Sequence, residues 1–438
     1  MNTDSKTYKA IREVVDSIEI VDTHEHLTPS EEWLKLQLDF GRLFLHYASV
    51  DLVSAGMPLA DLEALKTDTN LSPEEKWKLM SPYWKAAKNT GYCKAVTLAI
   101  QDIYDLPDLN DDTYAELCER MRRSQKPGFY RMILRDKAKI AISINNGPVM
   151  EADRDLMVPA VSFGEFILPR ERGQIQNILN GYGVSDYSVD GLVEAFGKAV
   201  EKHMSERMVA LKIGVAYQRI LKFDIVPKWK AEEVFAQIMR DDFCFRHDLG
   251  EERRYLEGKP LQDYMFHQAI RLAMDRNLPI QIHTGIQEGH GNYLSQTNPI
   301  HLTEIFMLYP RAKFDIFHIG YPYQSELAVL AKMFPNVYPD FSWMHIINPW
   351  AARQTLHEWL DTVPGNKILG FGGDYKFVEG AYAHSVMARE NIARVLAEKV
   401  EDGDLDLDQA GRLAFDILRN NASRLFDLQR FGVEVVNL

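Results

Sequence analysis

Two imidazoles on one face of an extended segment can close on the same cation. The stretch VDTHEH at residues 21–26 offers such a pair, His24 and His26. In a strand, residues i and i+2 project together. On a helix they would sit about 200° apart and could not easily share a ligand. The pair follows the apolar run IEI at 18–20, where a short strand ends. Four later apolar runs end in the same manner: Lys212 in VALKIG, His283 in LPIQIHTG, His318 in FDIFHIG and Asp374 in ILGFGGD. One histidine at a strand end is more often structural than not. An ordered set of histidines with a carboxylate can converge on a metal, at about 2.0–2.1 Å for nitrogen and about 2.0–2.2 Å for oxygen if the ion is zinc. The parity that turns Asp374 inward also turns Gly370 and Gly372 inward, which would leave room beside an ion.

The elements that must carry these residues are legible as alternating runs. Strand candidates are IEIVDTHEH at 18–26, AVTLAI at 95–100, KAKIAISIN at 137–145, VALKIG at 209–214, LPIQIHTG at 278–285, KFDIFHIG at 313–320, NVYPDFSW at 336–343 and KILGFGGD at 367–374. Helical periodicity fills most gaps, as in TYAELCERMRR, HLTEIFMLYP, SELAVLAKMFP and ARQTLHEWLDTVP. Eight β–α units imply parallel strands with right-handed crossovers. The expected fold is therefore α/β, a (β/α)8 TIM barrel in one domain over 1–438. Helical insertions are expected after strands one and three, at 27–92 as a lid and at 145–206. Such barrels take up roughly 200 to more than 400 residues as one unit and build their sites at the carboxyl ends of the strands.

Composition bounds the function. With 438 residues, 46% of them hydrophobic and 26% charged, a large core is available. The net charge of −13 and the lack of a basic stripe argue against nucleic acid as a partner. A small-molecule substrate is expected instead. Three cysteines, Cys93, Cys118 and Cys244, have no metal-finger spacing and favour a reducing cytoplasm. No apolar run approaches the ~18–20 residues of a membrane span, so no membrane partner is expected. A homo-oligomer is the common state of such chains.

Taken together, DTHEH, IQIHTG, FDIFHIG and FGGD resemble the motifs of the amidohydrolase superfamily of metal-dependent barrels. FDILRNNASRLFDL at 415–428 and VALKIGVAYQR resemble the terminal helix and fourth strand of its amidohydrolase-related branch. The resemblance implies that His24, His26 and His283 bind metal and that Asp374 is both ligand and proton acceptor. It implies that His318 binds a second metal or contacts substrate. Lys212 would be carboxylated and bridge two metals, or hold a substrate carboxylate. One or two divalent ions follow, with zinc expected and manganese, iron or nickel also suited to nitrogen and oxygen ligands.

The chemistry so implied is hydrolysis of an amide, lactone or related ester by a metal-activated water. A divalent metal lowers the pKa of bound water from 15.7 to about 7, which is roughly 12 kcal/mol of ionisation free energy. Asp374 then takes the proton, and His283 or His318 polarises the carbonyl. The alternative keeps fold and metal but makes the enzyme uronate isomerase-like or decarboxylase-like, acting on a small carboxylic acid. Arg219, after strand four, offers a bidentate carboxylate grip for that reading. A non-catalytic metal-binding protein is disfavoured, since a degenerate copy could lose Asp374 freely. Strand parity sends Glu25 to the far face, which favours a structural or supporting role there over a catalytic base, and leaves Asp22 one layer below the metal, placed for a supporting hydrogen bond. Tyr217, Trp343, His345, His46 and Tyr47 are further candidates for the mouth, and His290 falls on a solvated loop.

Overall fold

A computed structural model of the chain describes residues 4–241 and 251–436. Cys244 lies outside these residues, and Cys93 and Cys118 are buried thiols. Seven strands form one parallel sheet in sequence order: β1 (Ile20–Glu25), β2 (Ile140–Asn145), β3 (Met157–Ser162), β4 (Ala210–Ile213), β5 (Ile280–Ile282), β6 (Phe314–Ile316) and β7 (Val337–Pro339). The expected eighth strand, at 367–374, is an extended segment bonded to both edges. Phe341 N donates to Leu369 O on the β7 side; Thr23 N donates to Phe371 O and Asp374 N to His24 O on the β1 side. The sheet is therefore curled, with this segment lying between its first and last strands.

Two expectations about elements fail for identifiable reasons. AVTLAI is not a strand but the middle of helix Gly91–Tyr104. Its buried positions include Tyr92, Ala95, Val96, Ala99 and Ile100, a helical spacing that the six-residue window hides. Thr90 caps the helix, its side chain accepting from Cys93 N. Gly91 is required here because a Cβ would stand 2.0 Å from Ile346 O. The second failure is at 145–206, where a strand, β3, runs through MVPAVS. Pro159 reads as a strand breaker, yet its carbonyl accepts from Val209 N and needs no N–H for that bond. Helices therefore fill the chain from β1 to β2, and β3 divides the region expected to be a second insertion.

Helices Lys6–Ser17, Val378–Glu401 and Leu407–Phe415 pack together on the outside of the sheet. Ala422, Leu425 and Phe426 from the last helical turns form a smaller core with Val21, Ile144, Val158 and Val209 of the early strands. Among the described residues, no helix is long and apolar enough to cross a membrane.

Candidate active site

His24 lies near the end of β1 and His26 directly follows the strand, with their Nε2 atoms 3.1 Å apart. Asp374 Oδ1 lies 3.5 Å from His24 Nε2 and 3.3 Å from His26 Nε2. Ligand atoms at roughly 2.0–2.1 Å from one ion, at octahedral to tetrahedral angles, lie about 3.0–3.4 Å from each other. The three residues thus fit one divalent cation without rearrangement, and their ligand atoms all fall within 4.8 Å of one another. Asn146 O is 3.2 Å from His26 Nδ1, which assigns the proton to that nitrogen and leaves Nε2 free for a ligand bond. Burial, reinforced by Lys212, holds His24 well below its usual pKa and His26 down at about 3. The imidazoles are neutral, as ligands must be.

Asp374 is held by its backbone from every side. Asp374 N donates to His24 O, and Tyr47 Oη donates to Asp374 O at 2.7 Å. On one flank Asp22 Oδ1 accepts from Gly373 N at 3.0 Å, and His384 Nδ1 meets Gly373 O at 3.0 Å. On the other, Glu25 Oε2 accepts from Tyr375 N at 2.6 Å. These bonds keep Asp374 at φ 58°, a left-handed conformation that costs on the order of 1–3 kcal/mol and persists only when its surroundings impose it. Glu25 does not stand apart from the site; it is one jaw of the clamp around Asp374. A Cβ at Gly373 would meet Glu25 Oε1 at 1.8 Å. Gly370 does not make room for an ion either, because a Cβ there would strike Ile417 of the outer helical layer at 2.3 Å.

The remaining expected residues separate into two groups. Lys212 Nζ comes within 3.1 Å of His24 Nε2 and sits 3.9 Å over the Phe317 ring. Burial pushes it down to about 8. His283 Nδ1 and His318 Nε2 meet at 3.0 Å, with His318 Nδ1 against Ser342 O and His283 Nε2 against Ile286 O. His283, expected as a ligand beside His24, His26 and Asp374, is outside their compact group because its ring turns toward His318. Arg219 corrects a second expectation. It is 3% exposed and points away, paired with Asp263 at 2.7 Å and hydrogen-bonded to Gln262 Oε1 and Lys222 O. A guanidinium so engaged has no fork to offer a substrate carboxylate.

A cavity of about 240 Å³ opens beside Asp374, bounded by His26, Lys212 and His283 on the strand ends. His46 and Tyr47 come to it from the helical region after β1, with Tyr47 stacked on Trp343 at 4.2 Å. Tyr217 and Glu288 close another side, and Lys376 borders it two residues beyond Asp374. Lys376 and Glu288 were not foreseen; nothing in their local pattern separates them from surface charges. Burial pushes the Asp374 carboxyl up to about 7, opposed by Lys212. His345 is buried against Gly370 O, outside the cavity. His290 is exposed, as a loop residue.

The family model described as Amidohydrolase matches residues 176–428. The uronate isomerase of Rhizorhabdus wittichii is 21% identical over 92% of this chain and 91% of its own. Protein fluG of Emericella nidulans is 32% identical over 179 residues, which are 40% of this chain; the chain spans about a fifth (21%) of that protein's length. The structure of uronate isomerase from Thermotoga maritima superposes with a TM-score of 0.78 at 16% identity, over 96% of this chain and 97% of that one.

Proposed function

The chain belongs to the amidohydrolase family, and from that membership we propose that it is a metal-dependent isomerase of a small hydroxy acid of the uronate type. One observation carries the reading: His26 and Asp374, of the compact set they form with His24, border the same small cavity as two ammonium groups, Lys212 and Lys376. At about 240 Å³ it lies below the roughly 300–1,000 Å³ of drug-sized sites and suits a monomeric substrate. The likeness to uronate isomerases along nearly the whole chain supports the same choice over hydrolysis.

His24, His26 and Asp374 would hold the divalent ion, for which zinc is proposed. The ion, when bound, supplies Lewis acidity to substrate oxygens. Aldose–ketose isomerisation moves one proton between neighbouring carbons and one between their oxygens, with no co-substrate. Asp374, fixed at its backbone beside the cavity, takes the proton and returns it. His46, held neutral by burial, and the Tyr217 hydroxyl offer hydrogen bonds to substrate hydroxyls. Lys376 attracts the carboxylate, and its loss should appear in binding. Lys376→Gln is expected to raise KM for a uronate about tenfold with kcat nearly unchanged, since one charged hydrogen bond contributes about 1.5–3 kcal/mol. A neutral aldose tested in parallel should show no such rise.

The direct test is incubation with glucuronate and galacturonate and detection of the ketose acid by NMR. Turnover of an amide or lactone panel without isomerisation would overturn the proposal. Hydrolysis stays as the second reading because His283 Nδ1 and His318 Nε2, 3.0 Å apart near Lys212, are placed as a second ion would need. Metal counting separates the two. The isomerase reading expects one ion per chain, lost in His26→Ala; two ions, with a carboxylated Lys212 visible by mass, would favour hydrolysis.

A further inference from the structure

A second cleft, of about 510 Å³, lies at the opposite end of the strands from the candidate active site. Its arginines come from separate segments that each lead into the sheet. Arg135 precedes β2, Arg154 precedes β3 and Arg207 precedes β4. Arg419 reaches in from the C-terminal helices and donates to Glu19 O at the start of β1. Four guanidinium groups on one cleft are unexpected in a chain of net charge −13.

The carboxylates beside them are already engaged. Glu19 faces Arg419 at 3.5 Å, Glu151 pairs with Arg154 at 2.6 Å and Asp155 pairs with Arg131. Arg135 and Arg207 have no carboxylate within 4 Å among the described residues. Each spends one hydrogen bond on a backbone carbonyl, Arg135 on Asp155 O and Arg207 on Arg154 O. A guanidinium carries five N–H donors in a fixed fork, so most N–H groups of each fork have no protein acceptor among the described residues, while the face of Arg207 lies over the Phe431 ring at 4.7 Å. Burial depresses both groups below their ordinary range; Glu19 for Arg135 and Glu151 for Arg207 oppose the shift, and repulsion from Arg131 and Arg419 for the one and Arg154 for the other adds to it. An anion would relieve that repulsion.

We infer that this cleft binds a small phosphate-bearing molecule, through the free forks of Arg135 and Arg207, apart from the candidate active site. A phosphate offers three oxygens to several guanidinium groups at once, which a single carboxylate cannot match. An extended polyanion is disfavoured by the acidic balance of the chain and by the carboxylates on the cleft rim.

Calorimetric titration of the whole protein with inorganic pyrophosphate, at ionic strength fixed with KCl, tests this. Saturable binding of one pyrophosphate per chain is expected, weakened at least about tenfold in R135Q/R207Q. Asp374→Asn should bind pyrophosphate as the parent does, which separates the cleft from the candidate active site. If R135Q/R207Q fails to fold, R135K/R207K keeps the charge but loses the fork, and should bind several-fold more weakly. No saturable heat, parental affinity in the Gln pair or the Lys pair, loss of binding in Asp374→Asn, or succinate binding as tightly as pyrophosphate would each overturn the inference.

Discussion

Asp374→Asn is expected to lower kcat by about 10²–10⁴-fold, the range that a positioned proton acceptor contributes. Asparagine keeps the shape of the side chain, and the bonds that hold this segment run through its backbone. Gly373 N to Asp22, Asp374 N to His24 O and Tyr375 N to Glu25 survive the change. The variant should therefore fold and melt close to the parent. Because one neutral amide oxygen remains toward His24 and His26, metal content should fall less than activity does. Parallel measurement of kcat and bound metal separates the proton-accepting role from the ligand role. Turnover within tenfold of the parent on the substrate of the intact enzyme would remove Asp374 from the chemistry.

Arg219→Ala should destabilise the fold by about 3–5 kcal/mol, the cost of leaving a buried charge without its partner. Asp263 is 1% exposed and keeps only Lys259 and the amide of Asp224 once the guanidinium is gone. Set against a total stability of roughly 5–15 kcal/mol, that loss is large and readable as a shift in the urea midpoint. Arg219 also covers the Phe223 ring at 4.5 Å, so truncation removes packing as well as charge. KM of the protein that remains folded should be close to the parent's. Unchanged stability with a tenfold rise in KM would reinstate Arg219 as a substrate grip.

These two residues illustrate where local pattern suffices and where it does not. His24, His26 and Asp374 were legible because strand period fixes which side chains share a face, and because a site at strand ends gathers residues distant in sequence. The parallel β–α order was legible from alternating apolar periods, apart from AVTLAI and β3. A six-residue apolar run carries no length signal to tell a buried strand from a helix centre, and Pro159 masked a strand whose carbonyl, not its N–H, makes the bond.

By itself, then, the order of residues determined which side chains could meet as a metal-fitting triad and the layered α/β plan, since each follows from periodicities of two or 3.6 residues. Only the tertiary structure decided that Arg219 belongs to Asp263 and that Lys376, His46 and Tyr47 border the cavity. It alone revealed that Asp22 and Glu25 grip the backbone on either side of Asp374. The reason is physical: a buried charge takes whichever partner the packing brings within a few ångströms, and loop side chains reach a site through contacts that no short window of sequence contains.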